Sequence, residues 1–367
     1  MPGGALPWRC GSCEAGRVPS LAAARHFART FVLPCLIGLA GGFAFDRLGL
    51  PAAWLSGALI AVTIGTLAGL PVRVPGPVAT AGFLLIGIVM GSAVTPDTLR
   101  LMLSWPISMA GLVVLVPAIV GGIMVYLVRI ERFDRETAFF ASIPGALNYV
   151  MALTLDSRAD ARVVAVIQSF RLVLLVAALP SLMALAGLGS TARPVAGSAP
   201  VHWTEMALLV AFSVSCGLGM ERLRVPGGAT VGAMLASAVL HASGLVTALV
   251  PEPVVIGGFI VMGVLIAGRF AGTSLAELRL LLRASVGAFL VGTAVTALVA
   301  TAVALVAGLP VGKVILAYAP GGIEAMAVLA FVLDMDPAFV GAHHLVRFVG
   351  IAVLLPLAAR MVLRSKA

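Results

Sequence analysis

"ASIPGALNYVMAL" (Ala141–Leu153) and "AYAPGGIEAMAVL" (Ala317–Leu329) are two versions of one pattern. Each sets a Pro-Gly pair inside an apolar run and follows the glycine, three residues on, with a polar residue, Asn148 or Glu324. Proline withholds a backbone donor and glycine admits backbone angles that other residues resist, so both runs read as helices broken near their middle. Pro144 and Pro320 stand 176 residues apart, and the same offset carries Gly145 onto Gly321, Asp160 onto Asp336, Arg171 onto Arg347 and Pro180 onto Pro356. Apolar stretches match one another in Leu and Val by composition alone. A shared series of Pro, Gly, Asp and Arg points instead to a duplication.

Earlier in each half, Asp46-Arg47-Leu48-Gly49-Leu50-Pro51 meets Glu221-Arg222-Leu223-Arg224-Val225-Pro226. The chain therefore divides into a basic leader (1–30), a first repeat (31–186), a linker (187–203), a second repeat (204–363) and a short C-terminal tail (364–367).

The composition says where these repeats reside. Of the 367 residues 61% are hydrophobic and 11% charged, against roughly 45–50% and 25% in soluble domains. Leu101–Val128 and Ala284–Gly312 hold no charged residue, and about 20 such residues cross a bilayer. A soluble enzyme and a soluble nucleic-acid-binding module are both excluded as readings of the whole chain. The net charge of +9 sits in short loops and at the ends, where Arg and Lys carry topology information and call for no nucleic-acid partner. Arg9, Arg17, Arg25 and Arg29 face the single acid Glu14 ahead of the first apolar run, which predicts an uncleaved signal anchor with a cytoplasmic N-terminus.

Each half contains six apolar segments. If all of them crossed the membrane, 13 Lys and Arg would lie inside and 9 outside, a poor bias. If the Pro-Gly segment of each half instead dips in and returns, only Arg47, Arg100, Arg193 and Lys313 of the 24 Lys and Arg remain outside, with Arg171 and Arg347 inside the membrane. The positive-inside rule selects the second arrangement. Five crossings per half is an odd number, so the repeats are inverted. The expected fold is an all-α integral membrane protein of about ten spanning helices, with one Pro-Gly-broken hairpin in each repeat.

Irregular backbone is tolerated at membrane depth only when it is buried in protein or lines a cavity. The candidate solute-binding residues are therefore the tips, Pro144, Gly145 and Asn148 in the first copy and Pro320, Gly321 and Gly322 in the second. Glu324, an acid within a long apolar run, is the candidate coupling residue, since an ionisable group at that depth is costly. Arg171 and Arg347 join the site from the last helix of each half, each with a polar partner three residues earlier, Gln168 or His344, on the same helix face. A planar guanidinium suits a carboxylate, which favours an anionic or zwitterionic solute. The competing reading is structural, with the arginines holding helices together or pairing with Glu324.

No metal and no cofactor is expected. Cys10 and Cys13 lack a second ligand pair, Cys35 and Cys216 lie in apolar runs, and His343 and His344 are adjacent, so on a helix they point about 100° apart.

"PGGIEAM" (Pro320–Met326) and "HLVR" (His344–Arg347) resemble the duplicated AbrB-type membrane proteins of bacteria, and the likeness extends from Phe31 to Arg360. The first copy departs from the pattern with Ala146 for the second glycine and Asn148 for the acid. The resemblance implies a ten-helix protein distantly similar to cation/proton antiporters and to bile-acid and glutamate transporters. Members are often labelled transcriptional regulators or ammonia monooxygenases, yet these residues supply neither a DNA-binding module nor a metal site. The expectation is a multi-pass protein of the bacterial inner (cytoplasmic) membrane, not an enzyme, working as a secondary transporter by alternating access. Its expected partners are a small solute and the lipid bilayer, with a homodimer as an option. The alternative is a membrane-embedded sensor that affects gene expression indirectly.

Overall fold

A computed structural model describes residues 21–94, 105–155, 157–188 and 202–364. Most of the basic leader with Cys10 and Cys13, the centre of the linker with Arg193, the loop carrying Arg100, and the last three residues lie outside these ranges. Every regular element among the described residues is helical. The chain enters through α1 (Leu21–Phe27) and a π-helical turn (Ala28–Val32) that run on into α2 (Leu33–Arg47). The first half continues with α3 (Ala53–Leu67), α4 (Gly76–Gly91), α5 (Trp105–Arg129), α6 (Arg135–Ser142), α7 (Leu147–Leu155) and α8 (Ala161–Leu185). The second half consists of α9 (Trp203–Arg222), α10 (Gly228–Ala242), α11 (Glu252–Ala267), α12 (Leu275–Ala307), α13 (Val311–Tyr318), α14 (Ile323–Val332) and α15 (Pro337–Arg364).

Seven helices among the described residues are long and apolar enough to cross a membrane, namely Ala24–Arg47, α5, α8, α9, Glu252–Phe270, α12 and the first part of α15. Three more apolar helices, α3, α4 and α10, have 15 or 16 residues. The helix α12 starts earlier than its apolar run because Ser274 and Glu277 form a capping box and the first turns carry Arg279 and Arg283. Hydropathy marks the depth of the hydrocarbon, whereas the cap marks the start of the helix.

Partners in one half reappear in the other. The pairs α2–α3 and α9–α10 pack closely, as do α4–α10 and α3–α11, while α5 lies against its counterpart α12. Small residues set these crossings. A Cβ added to Gly57 would collide with the backbone of Gly41 and Gly42, and one added to Gly232 would collide with that of Cys216 and Gly217. Lipid offers no hydrophobic drive for helices to associate, so close backbone approach supplies the attraction.

Two of the helix-interior prolines, at equivalent places in the two halves, free carbonyls that each accept from a hydroxyl of the first half. Pro180 frees the carbonyl of Val176, which accepts from Ser56 Oγ at 2.9 Å. A proline at position 356 frees that of Ala352, which accepts from Tyr149 Oη at 3.0 Å. A backbone group at membrane depth needs such a partner because there is no water to replace it.

The broken segments turn back on themselves. Asp160, after α7, donates its backbone N–H to Thr137 Oγ1 at the start of α6 at 2.8 Å, and the backbone N–H of Arg158 reaches Glu136 Oε2 at 3.1 Å. At the equivalent place in the second half Lys313 bonds Asp336 at 2.9 Å. Entry and exit of each segment therefore lie side by side. The arms, of 8 and 9 residues in the first copy and 8 and 10 in the second, are about 12–15 Å long at 1.5 Å per residue. That is half of a hydrocarbon core of about 30 Å.

Candidate functional site

The two tips break their helices by different means. In the first, Ile143 is extended and the left-handed pair Gly145 (φ 82°) and Ala146 (φ 55°) turns the chain into α7. Ala146 bears the strain of that conformation, which a glycine would avoid. In the second, Gly322 is extended at φ −83° and ψ 154°, and Gly321 is also outside the left-handed region. A Cβ at 321 would come within 2.7 Å of the Met326 side chain, which would have to shift to admit it. The tips approach each other, a Cβ on Gly145 falling 3.2 Å from the Gly321 carbonyl oxygen.

The first arm of each hairpin ends with carbonyls that have no donor within the helix and with the negative end of its dipole. A buried arginine answers each end. Arg171 Nη2 donates to the carbonyl of Ile143 at 2.7 Å, while Nη1 lies 3.4 and 3.5 Å from those of Ala141 and Ser142. Arg347 binds more tightly, giving Nη1 to Ala319 and Nη2 to Gly321, both at 2.6 Å, with Tyr318 at 3.4 Å. The residues three earlier behave alike. Gln168 Nε2 donates to the Phe140 carbonyl at 2.9 Å, and His344 Nε2 lies 3.3 Å from that of Leu316. With that ring nitrogen as donor, His344 Nδ1 accepts from Arg347 Nη2 at 2.8 Å. The helix-face pattern thus brings Arg and Gln or His together, and both members turn to the hairpin backbone.

A cavity of about 270 Å³ opens between the tips. Gly145, Pro320, Gly321 and Gly322 line it, together with Gln168 and Arg171 from α8 and Glu324 from the first turn of α14. Pro144 is buried behind the first tip, and His344 and Arg347 behind the second. Asn148 belongs to α7, and its side chain lies outside the described part of the structure. Glu324 forms no ion pair with either buried arginine. Its electrostatic partner is Arg269, which lines the same cavity from the turn after α11. Arg171 Nε, fully enclosed, finds no acceptor among the described residues.

Several lining residues had no signal in the sequence. Arg269 reads there as one more topology charge at the end of an apolar run, yet it faces the site. Tyr149, Phe348 and the Pro226-Gly227 turn, whose Gly227 is left-handed at φ 64°, also contribute walls. A Cβ at Gly227 would stand 3.5 Å from Glu324 Oε1. His343 points elsewhere, bonding Ser108 Oγ on α5 at 2.8 Å and the Phe339 carbonyl at 2.7 Å. The adjacent histidines thus serve different helices.

Comparison with known proteins gives a family match for this chain. A family model described as transition state regulatory protein AbrB matches residues 54–363. The protein named "Putative regulator AbrB" from Escherichia coli (strain K12) is 30% identical over 342 residues, covering 89% of this chain and 95% of that protein. The "Uncharacterized protein YhjN" of Bacillus subtilis (strain 168) is 24% identical over 348 residues, covering 87% and 90% respectively.

Proposed function

The chain belongs to the AbrB family, and from that premise we propose that it is an inner-membrane secondary transporter of a small anionic or zwitterionic organic solute. The observation that carries this reading is the pair of half-membrane hairpins whose tips meet at a cavity holding charged residues. Broken helices that present half-helix ends to a site near the midplane, one from each repeat, are how transporters bind solutes without exposing backbone to lipid.

The seven long helices together with α3, α4 and α10 make ten crossings in this reading, five per repeat. The exchange of partners between halves, α4 with α10 and α3 with α11, supports a two-fold relation between the repeats. The second arms of the hairpins, α7 and α14, begin at the cavity, so the positive ends of both dipoles favour negative charge there. Gly227 and Arg269 lie at helix ends that the charge distribution assigns to the cytoplasm, so this conformation reads as inward-facing. The opposite state arises by sliding the hairpins, α5, α8, α12 and α15 against the other helices.

The test is flux in proteoliposomes of the purified protein. Glu324→Gln is expected to abolish proton-driven accumulation while counterflow exchange persists. Full driven accumulation by this variant removes Glu324 from the coupling step. A second reading is favoured by the names of the family model and of the Escherichia coli relative, both of which speak of regulation. In that reading the cavity senses a solute and the effect on gene expression is indirect. Solute binding with no flux in either direction would select it.

A further inference from the structure

Two opposite charges face one small cavity without a direct ion pair between them. Arg269 and Glu324 both line it, and no ion pair within 4.0 Å joins them. They stand on different parts of the bundle, Arg269 on the turn after α11 and Glu324 at the tip of the second hairpin. The other two arginines near the tips are not equivalent to Arg269. Their terminal nitrogens are committed to the carbonyls of Ile143, Ala319 and Gly321, and their charge is offset in part by the negative helix ends that they cap. What remains for a solute is one cationic fork, one carboxylate, and the N-terminal ends of α7 and α14.

Resting on the transport reading, we infer that the cavity takes a small zwitterion of the amino-acid class. Its carboxylate lies between Arg269 and the hairpin N-termini, and its ammonium on Glu324. A guanidinium fork matches a carboxylate geometrically, and a helix N-terminus adds backbone donors of the same preference. The carboxylate of Glu324 matches an ammonium. A ligand carrying both groups completes both charges at once. A simple acid makes Glu324 share Arg269 and adds a like charge beside it, and a simple amine does the converse to Arg269. The volume, about 270 Å³, is at the small end of small-molecule sites and suits a single amino acid.

The first half has no such pair, with Ala93 and Asn148 at the positions equivalent to Arg269 and Glu324. Recognition of both ends is therefore confined to the state in which the second hairpin faces Arg269.

The test is binding to the purified full-length protein in lipid nanodiscs, by calorimetry and thermal shift. The probes are the proteinogenic L-amino acids and, for each that binds, its deaminated acid and its decarboxylated amine. At least one amino acid is expected to bind, with both truncated analogues weaker by about tenfold or more, or 1.4 kcal/mol. Glu324→Gln should bring the deaminated acid up to the affinity of its parent, and Arg269→Gln should do so for the amine. If the wild-type protein binds the acid as well as the amino acid, or binds dicarboxylates and no amino acid, the inference is overturned. That measurement on the wild type stands even where a variant fails to fold. Flux is read separately. The expected binding pattern without flux sinks the transport reading alone, whereas flux of a solute that lacks an amine sinks this inference alone.

Discussion

Replacing Arg347 by lysine tests whether the paired arginines hold the hairpins or the solute. The guanidinium spans two carbonyls with two different nitrogens, Ala319 and Gly321 each at 2.6 Å, and Nη2 also serves His344 Nδ1 at 2.8 Å. An ammonium is a single point of donors on a flexible stem, so it can keep one of these acceptors and strands the others. Arg347 is 4% exposed, which leaves no water to take its place. Each stranded buried acceptor costs about 1–3 kcal/mol, and two of them give about 2–6 kcal/mol. Arg171 makes one short bond, to Ile143 at 2.7 Å, and its other contacts lie at 3.4 and 3.5 Å. Lysine can retain the short one, so the cost there is about 1 kcal/mol. At about 2–4 °C per kcal/mol, Arg347→Lys should lower the melting temperature by about 5 °C or more and Arg171→Lys by about 2 °C. The assay is thermal unfolding of the solute-free protein in detergent, followed by tryptophan fluorescence. The ordering is the sharp part. A fall at position 171 equal to or larger than that at 347, or no fall at either, refutes the assignment of these donors to the hairpin backbone.

The hairpin bases give a topological prediction. The pairs Thr137→Cys/Asp160→Cys and Lys313→Cys/Asp336→Cys should each form a disulfide, the first only with a membrane-permeant oxidant and the second also with an impermeant one added outside; reaction of both pairs from one face refutes the inverted arrangement. Ser56→Ala and Tyr149→Phe each orphan a carbonyl freed by a proline and should each cost about 1 kcal/mol in thermal unfolding, with wild-type stability in both refuting that role. Outside the spans, Glu131 accepts from Tyr126 Oη at 2.6 Å and Arg283 Nε at 2.8 Å, and although burial opposes its charge these bonds hold its carboxyl below the usual 4.5. A depressed carboxylate stabilises above its unfolded pKa and loses that contribution as pH falls through the folded value. Glu131→Gln should therefore melt lower than wild type at neutral pH and approach it below about pH 4.5; a deficit independent of pH refutes the charged role.

The amino-acid sequence alone determined that this is a helical membrane protein, that it is duplicated, and that the Pro-Gly segments are the places where the helices break. These features are local or periodic. Apolar length is set by bilayer thickness, and proline at 144 and 320 disrupts a helix whatever surrounds it. That each broken segment turns back on itself was legible too, through loop charges, because arginine and lysine are unevenly distributed across a membrane and the distribution is written along the chain. The tertiary structure decided what those charges do inside. Arg171 and Arg347 look alike as free ligand-binding forks in the sequence, and only the fold brings the spent ends of α6 and α13 against them, consuming their donors on backbone carbonyls. Arg269 shows the reverse. In the sequence it is one positive charge at the end of an apolar run, indistinguishable from those that merely anchor a helix. It becomes part of the cavity because α11 stops on the side where the second hairpin brings Glu324 across from it. A charge acquires its role from the opposite charge or empty acceptor it meets, and that meeting is made by helices far apart in the chain.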